Sequence, residues 1–354
     1  MISKSCLSKL CNVVMRDEYN KLYQNCKLCP RNCGIDRTKG EKGFCRADGS
    51  IEAARAALHF WEEPCISGEF GSGAVFFSGC NMGCVFCQNY EIAHAKVRRK
   101  ISTKRLSDIF LELQDQNAAN INLVTPTHFV PGIIEALEDS KKRGLKIPVV
   151  YNTGAYENVE TIKLLDGLVD IYLPDCKYYS SKLSKKYSMA EDYYSKAILA
   201  IKEMVRQTGK PQFFGIHVHP QKATYKELQE SLCADEYNNI VTGDECDNSD
   251  YYGPLMKRGT IVRHLLLPGN INDSIEIVRR LYGEFGNDIY ISLMNQYTPM
   301  PHSFNIPELS KKVSKDDYER LIEYAIDLGV ENAFIQGDET DNDSFIPAFD
   351  YTGI

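Results

Sequence analysis

The sequence predicts an α/β fold in which a mostly parallel sheet curls into a partial (β/α)6 barrel. Between residues 73 and 328, short apolar runs rich in β-branched residues alternate with stretches whose apolar residues recur at helical spacing. Such alternation is typical of parallel sheets built from βα units. It repeats six times, fewer than the eight units of a closed barrel. We therefore expect a barrel domain over residues 61–340, after a small cysteine-rich metal-binding segment at 1–60 and before a tail at 341–354.

Each predicted unit pairs one strand with the helix that follows it. The strands are expected at 73–78, 121–125, 148–152, 169–173, 260–266 and 289–293, and the helices around 106–113, 133–142, 159–165, 191–207, 274–284 and 316–328. In the first helix, Leu106, Ile109, Phe110 and Leu113 fall on one face behind a serine or threonine cap. Residues 211–256 are acidic and show no clear period, so they predict an insertion between the fourth helix and the fifth strand.

Composition and charge exclude several classes of protein. The net charge of −7 leaves no excess of basic residues to bind a phosphate backbone, so we do not expect nucleic acid as a partner. No apolar run has the length that spans a bilayer, and residues 1–20 lack the apolar core of a signal peptide. We therefore expect a cytoplasmic protein that has no membrane partner.

The cysteines are the most informative part of the composition. The chain has thirteen of them, and an odd number cannot all form disulfides, which are in any case rare in the reducing cytosol. Ten of the thirteen precede residue 90, and seven of these ten fall into two closely spaced groups. This spacing favours bound metal or iron–sulfur clusters over disulfides.

One group, Cys80, Cys84 and Cys87, forms the array C-x3-C-x2-C directly after the first predicted strand. Three thiolates on one loop suit three corners of a [4Fe-4S] cubane. Because a complete cluster site uses four protein ligands, three leave one iron open for an atom of a substrate or cofactor. Barrels also carry their chemistry on the loops at the carboxyl ends of their strands. A zinc site or a redox-active cysteine group is the alternative interpretation of this array.

The array, with Phe86 before its last cysteine, resembles the signature of the radical S-adenosylmethionine (SAM) superfamily. Within it, the chain resembles the branch related to pyruvate formate-lyase activating enzyme, through the segments CPRNCGIDR, GEKGFCR, EEPCISG, FFSGCNMGCVFCQNYEIA, PDCKY, VRHLLLPG and MNQY. The resemblance implies that the open iron binds SAM and that the reduced cluster cleaves it to methionine and a hydrogen-abstracting 5′-deoxyadenosyl radical. This chemistry requires a reductant of the flavodoxin or ferredoxin type, and an activating enzyme would act on a glycyl radical enzyme.

Polar residues on or just after the later strands are candidates for binding SAM. Thr125 and Thr127 occupy the place of the Gly-Gly-Glu type motif that contacts the SAM amino group in the superfamily. That departure leaves the contact to backbone carbonyls or to the two threonines. The other candidates are Asn152, Thr153, Asp175, Lys177 and Arg263. Each can instead be an ordinary polar residue satisfied by neighbouring backbone.

The second group of cysteines lies near the beginning of the chain. Cys26, Cys29, Cys33 and Cys45 form C-x2-C-x3-C-x11-C. Four thiolates within twenty residues suit a self-contained tetrahedral site, for which structural zinc is the first interpretation. An auxiliary iron–sulfur cluster is the second, because thiolates alone suit either metal. Unmetallated thiols are the third.

Three hypotheses for function follow from these motifs. The first is a radical SAM enzyme that resembles a glycyl-radical-enzyme activase, with the 211–256 insertion as part of a rim for its protein partner. The second is a radical SAM enzyme that modifies a small molecule held in a closed pocket. The third is a binding protein without catalysis, whose seven clustered cysteines hold structural zinc.

Overall fold

Parallel strands form the centre of the protein. The computed structural model describes residues 19–243, 253–337 and 347–354. Its strands are β1 (Ile51–His59), β2 (Ser72–Phe77), β3 (Arg99–Ile101), β4 (Ile121–Val124), β5 (Val149–Thr153), β6 (Ile171–Pro174), β7 (Gln212–Phe213), β8 (Met256–Leu265), β9 (Tyr290–Met294) and β10 (Ala333–Ile335). The sheet order is β10-β9-β8-β6-β5-β4-β2-β1-β3, with β7 paired beside β8. The strands from β2 to β10 along this order are parallel, and the pairings of β1 with β2, β1 with β3 and β7 with β8 are antiparallel.

The longer helices lie in the connections between parallel strands. The helices are α1 (Pro64–Ser67), α2 (Tyr90–Ala93), α3 (Thr103–Asp115), α4 (Val130–Lys142), α5 (Val159–Lys163), α6 (Ser181–Ser188), α7 (Tyr193–Thr208), α8 (Tyr225–Gln229), α9 (Ala234–Gly243), α10 (Ile271–Phe285) and α11 (Lys315–Leu328). Ser102 caps α3 by accepting a hydrogen bond from the Arg105 amide. Among the described residues, no helix is long and apolar enough to cross a membrane.

The predicted fold class is confirmed. All six predicted strands and all six predicted helices are present, with ends that differ from the prediction by a few residues. The two ends of the sheet, β3 and β10, are not paired with each other in the described part of the chain, so the barrel is open. β10 adds a strand that the prediction lacked, beyond the sixth βα unit.

The boundary predicted at residue 60 falls at the end of a strand that the prediction missed. β1 lies within the predicted cysteine-rich segment but pairs with β2, so its residues belong to the sheet. Residues 347–354 of the predicted tail also join it, because the Ala56 amide donates to the Thr352 carbonyl and the Tyr351 amide to the Ala54 carbonyl. Residues 1–18, 244–252 and 338–346, which include parts of the predicted segment, insertion and tail, lie outside the described residues.

The two faces of each central strand carry different side chains, as the two-residue period of a strand requires. On β5, Val149 and Tyr151 belong to the main core, which packs the sheet against its helices. Val150 belongs to a second buried cluster on the inner face, the lumen of the partial barrel. Cys65 and Ile66 of α1 share that second cluster, so α1 fills the lumen near the amino ends of the strands.

The insertion packs at the same amino ends. Phe213 stacks on Tyr237 with ring centroids 3.9 Å apart, and Asn238 accepts a hydrogen bond from Tyr290 at the start of β9. The described residues of the insertion therefore do not form part of a rim around Cys80, Cys84 and Cys87, contrary to the expectation from the sequence. They lie at the edge of the sheet opposite the loop that carries Cys80.

Candidate active site

A cavity of about 240 Å³ opens at the carboxyl ends of the parallel strands. Cys80, Cys84 and Cys87 line it from the loop after β2, which we call the cluster loop (residues 79–87). The lining also includes Thr125, Asn152, Thr153, Asp175, Lys177, Arg263, Glu62, Gln88, Gln296 and Met294, from the ends of other strands and from the segment before β2. The topology thus brings the three cysteines and six of the seven predicted SAM-binding residues to one cavity.

The first turn of the cluster loop requires glycine. Gly79 has a φ of 91°, and a Cβ on it would lie 2.3 Å from the carbonyl oxygen of Cys45. The loop therefore approaches the backbone of the N-terminal cysteine segment at van der Waals distance. This contact positions Cys80, the next residue, relative to that segment.

The sulfurs in the cluster loop have hydrogen-bond donors of the kind that thiolates accept. The Met82 amide donates to Cys80 Sγ at 3.3 Å, and the Ser188 hydroxyl donates to Cys84 Sγ at 3.0 Å. Burial raises the pKa of Cys80 and Cys84, and it raises the pKa of Cys87 to about 12. Binding of iron would therefore displace protons from these thiols.

The donor set fits a [4Fe-4S] cluster better than a single ion. No three Cys, His, Asp or Glu side chains of the described residues are gathered closely enough to hold one metal ion. A cubane instead distributes its thiolates over separate irons, so three sulfurs around the wall of one cavity suit it. Cys80, Cys84 and Cys87 are the residues that would hold such a cluster.

A network of charged groups also lines the cavity. Arg263 donates to Glu62 Oε2 and Asp175 Oδ1, each at 3.0 Å, and its third contact is Asn152 Oδ1. Lys177 donates to the other oxygen of Asp175 at 2.6 Å. Burial opposes ionisation of Asp175, yet Lys177 and Arg263 together hold its pKa below the ordinary value. Both cations are therefore paired, and the network holds the polar side chains of three strands in fixed orientations.

The family comparison agrees with this geometry. The model of the Radical SAM superfamily matches residues 74–232, which include the cluster loop and the strands from β2 to β7. Residues 74–232 are therefore similar to radical SAM domains. The matched region contains the three cysteines and the central parallel strands β4, β5 and β6, whereas β1, β8, β9 and β10 of the same sheet lie outside it.

Similar proteins are known from sequence and from structure. Uncharacterized protein MJ0674 of Methanocaldococcus jannaschii is 24% identical over 313 residues, which cover 86% of this chain and 75% of that protein. SuiB of Streptococcus suis, solved with S-adenosylmethionine, has a TM-score of 0.44 and 15% identity over 74% of this chain and 49% of its own. A radical SAM methyltransferase of Sphaerobacter thermophilus has a TM-score of 0.42 and 14% identity over 75% of this chain and 66% of its own. The chain thus spans about half of the length of SuiB.

Thr127 is the exception among the predicted SAM-binding residues. It does not line the cavity. Its side chain is buried and donates to Glu157 Oε1 at 2.6 Å. Thr125, by contrast, lines the cavity with a positive φ of 60°. The 3₁₀ turn at Thr127–Phe129 places this residue in the core, so the structure does not bring it together with the other predicted SAM-binding residues.

Two functional candidates were not predicted. Glu62 precedes the matched region in sequence but lines the cavity, and burial raises its pKa against the opposing charge of Arg263. Glu157 is buried and accepts hydrogen bonds from Thr127 and from Thr153, which lines the cavity. Burial raises the pKa of Glu157 to about 7. The sequence offered one indication of Glu62, the acidic pair Glu62-Glu63 before Pro64. No sequence pattern marks Glu157.

The second cysteine group lies directly beneath the cluster loop. Cys26, Cys29 and Cys45 are buried and Cys33 is half-buried. The guanidinium of Arg37, which is 3% exposed, donates to Cys26 Sγ and Cys45 Sγ, each at 3.0 Å. As placed, the four sulfurs would have to move closer together to hold a single ion.

Proposed function

We propose that this protein is an enzyme that cleaves SAM reductively at a [4Fe-4S] cluster held by Cys80, Cys84 and Cys87. The cluster would supply one electron to the sulfonium of SAM, and the resulting 5′-deoxyadenosyl radical would abstract hydrogen from a substrate. The observation that carries the proposal is that the three cysteines of a radical SAM domain share one cavity with the charged and polar network of Arg263. The protein itself supplies orientation and exclusion of water.

The chain's own residues have definable roles in this proposal. Asn152 and Thr153 at the end of β5, with Thr125 at the end of β4, present hydroxyl and amide groups to the polar groups of SAM. Lys177 and Asp175 form an ion pair just after the end of β6, between these groups and the cluster loop. These assignments remain proposals about binding, and substitution of each residue should raise the KM for SAM more than it lowers kcat.

We further propose that the substrate is a glycine in a protein partner, as the resemblance to pyruvate formate-lyase activating enzyme implies. Both cations that line the described cavity are paired with carboxylates, so an anionic small molecule would have to break an existing ion pair to bind there. A neutral peptide segment has no such requirement. Phe60 and Trp61 beside Glu62 are 52% and 58% exposed, and Trp61 lines the cavity, which supports contact with a protein surface.

Anaerobic SAM cleavage tests the core of the proposal. Reconstituted protein with dithionite should form 5′-deoxyadenosine, and Cys84→Ala should abolish it. Cys233→Ala is the matched control, because Cys233 is an exposed cysteine outside the cavity, and it should retain wild-type product. A verified wild-type cluster without Cys84-dependent product would refute the enzyme and favour a binding protein.

Isotope transfer tests the substrate. A partner protein whose glycines carry deuterium at Cα should yield singly deuterated 5′-deoxyadenosine and a glycyl radical detectable by EPR. Deuterated product from a small molecule, but not from protein, would replace the activase proposal with modification of a small molecule. Flavodoxin or ferredoxin, tested in place of dithionite, is the proposed physiological reductant.

A metal at the second cysteine group is also a proposal. Arg37 supports it, because among the described residues this buried guanidinium contacts two sulfurs and a backbone carbonyl but no carboxylate. A buried charge is costly without a counter-charge, and metal-bound thiolates would provide one. Zinc or a second iron–sulfur cluster would satisfy this need. Metal content per chain in Cys26→Ser and wild-type protein decides between zinc, iron and free thiols.

A further inference from the structure

Helix α6 ends against the cluster loop. The Val85 amide donates to the Tyr187 carbonyl at 2.8 Å, and the Gly83 amide donates to the Ser188 carbonyl at 3.4 Å. Carbonyls in the last turn of a helix have no partner within the helix. The amides of the loop therefore satisfy the end of α6, and the helix holds the loop at its middle cysteine.

The side chain of Ser188 continues this contact to a sulfur. Ser188 is fully buried, and its hydroxyl donates to Cys84 Sγ at 3.0 Å. The hydroxyl of Tyr178 lies 2.7 Å from the Ser188 oxygen. Because the single proton of Ser188 points to the sulfur, Tyr178 is the donor in the second bond. The two hydroxyls form a chain of hydrogen bonds that ends at Cys84.

Arg31 fixes this arrangement from the N-terminal cysteine segment. Its Nε donates to the Asn81 carbonyl of the cluster loop at 2.9 Å. Its two terminal nitrogens donate to the carbonyls of Ser188, at 3.2 Å, and Met189. One guanidinium thus holds the loop and the end of α6 together. Ser188 has little freedom to turn its hydroxyl away from Cys84.

We propose that Ser188 is a positioning residue that sets the reduction potential of the cluster through its hydrogen bond to Cys84. This inference rests on the proposed function, because it needs the cluster at Cys80, Cys84 and Cys87. Reduction adds negative charge to the cluster and its sulfurs, so a hydrogen bond to a sulfur stabilises the reduced state more than the oxidised state. The bond from Tyr178 polarises the Ser188 hydroxyl and strengthens the effect. The consequence is a cluster that weaker reductants can reduce.

A redox titration of reconstituted protein, followed by EPR of the reduced cluster, tests this proposal. Ser188→Ala should lower the midpoint potential while iron content stays at the wild-type level. We expect a roughly tenfold lower ratio of reduced to oxidised cluster at fixed potential, which corresponds to about 59 mV for one electron. Tyr178→Phe should shift the midpoint in the same direction by less, and Ser188→Thr, which keeps the hydroxyl, should restore it.

Ser184→Ala is the matched control. Ser184 is a buried serine one turn earlier in α6, and its hydroxyl donates to the Ser181 carbonyl rather than to a sulfur. Its removal should leave the midpoint unchanged. A wild-type midpoint in Ser188→Ala with full iron content overturns the proposal. If Ser188→Ala fails to hold iron, the midpoint potential of Tyr178→Phe becomes the test. An unchanged midpoint in Tyr178→Phe would then overturn the proposal.

The same experiment separates this inference from the proposed function. If the wild-type protein cleaves SAM but Ser188→Ala leaves the midpoint potential unchanged, the proposed function stands and the inference about Ser188 is wrong. If the wild-type protein holds no cluster, both are wrong.

Discussion

Replacing Arg263 with methionine should destabilise the protein strongly, because it leaves the buried Glu62 without a cationic partner and Asp175 with only one of its two. Arg263 contacts Glu62 and Asp175 at 3.0 Å, and the side chains of the three residues are only 14%, 8% and 18% exposed. Breaking a buried ion pair by removing one partner costs about 3–5 kcal/mol. Asp175 retains its ion pair with Lys177 at 2.6 Å, so the lower end of this range applies to the loss of its bond to Arg263. Glu62 retains only hydrogen bonds from two side-chain amides, so its charge is left without a counter-charge.

Urea unfolding of wild-type and Arg263→Met protein measures this effect. With a slope near 3 kcal/mol per molar, a loss of that size lowers the midpoint by roughly 1 M or more. Arg279→Met is the matched control, because Arg279 pairs with Glu276 on the exposed surface of α10, and its midpoint should stay within experimental scatter. A double variant, Arg263→Met with Glu62→Gln, should recover part of the loss. An unchanged midpoint in Arg263→Met would refute the interpretation of this network as a stabilising one.

Two further predictions concern residues next to the cavity. Burial raises the pKa of Glu157 from 4.5 to about 7, so the folded state binds the extra proton. The contribution of Glu157 to stability is therefore fully present below pH 4.5 and is lost as the pH rises through 7. The loss in free energy of unfolding linked to this proton is on the order of 3 kcal/mol. Glu157→Gln should remove the corresponding fall in urea midpoints measured from pH 5 to 8. A wild-type pH dependence in the variant would contradict this prediction. Gly79→Ala should reduce iron content, because its Cβ would meet the Cys45 carbonyl at 2.3 Å, whereas Gly144→Ala, also at a positive φ but with nothing within 4 Å, should keep full iron. Equal iron in the two variants would show that the contact with Cys45 is not needed.

Local periodicity explains why the sequence predicts most of the sheet. Leu106, Ile109 and Phe110 fall on one face of α3 and are buried, so the apolar pattern alone identified the helix. β1 was missed for a related reason, since its alanine-rich sequence IEAARAALH contains only one β-branched residue, Ile51. Its strand conformation comes from pairing with β2 on one side and β3 on the other. Such pairing is a tertiary effect that a single segment does not encode.

Residues of the site were predictable where they follow a strand directly. Asn152, Asp175 and Arg263 lie on the inner face of neighbouring parallel strands, and the geometry of a barrel brings such positions together. Thr127 shows the limit of this reasoning, because one short turn after β4 was enough to direct it into the core. This reasoning could not identify Glu62, because Glu62 lies in the segment between β1 and β2 and not at the end of a parallel strand.

The position of Glu62 bears on which part of the chain forms the active site. The region that matches the radical SAM model ends before Arg263 and begins after Glu62. A fragment limited to it would keep Asp175 paired with Lys177 but would lose both partners of the ion pair that holds the cavity wall. It would also lose Arg31, which holds the cluster loop against α6. The cysteines and strands of the matched region are therefore not sufficient for this site, and the segments on both sides of that region supply the contacts that orient it.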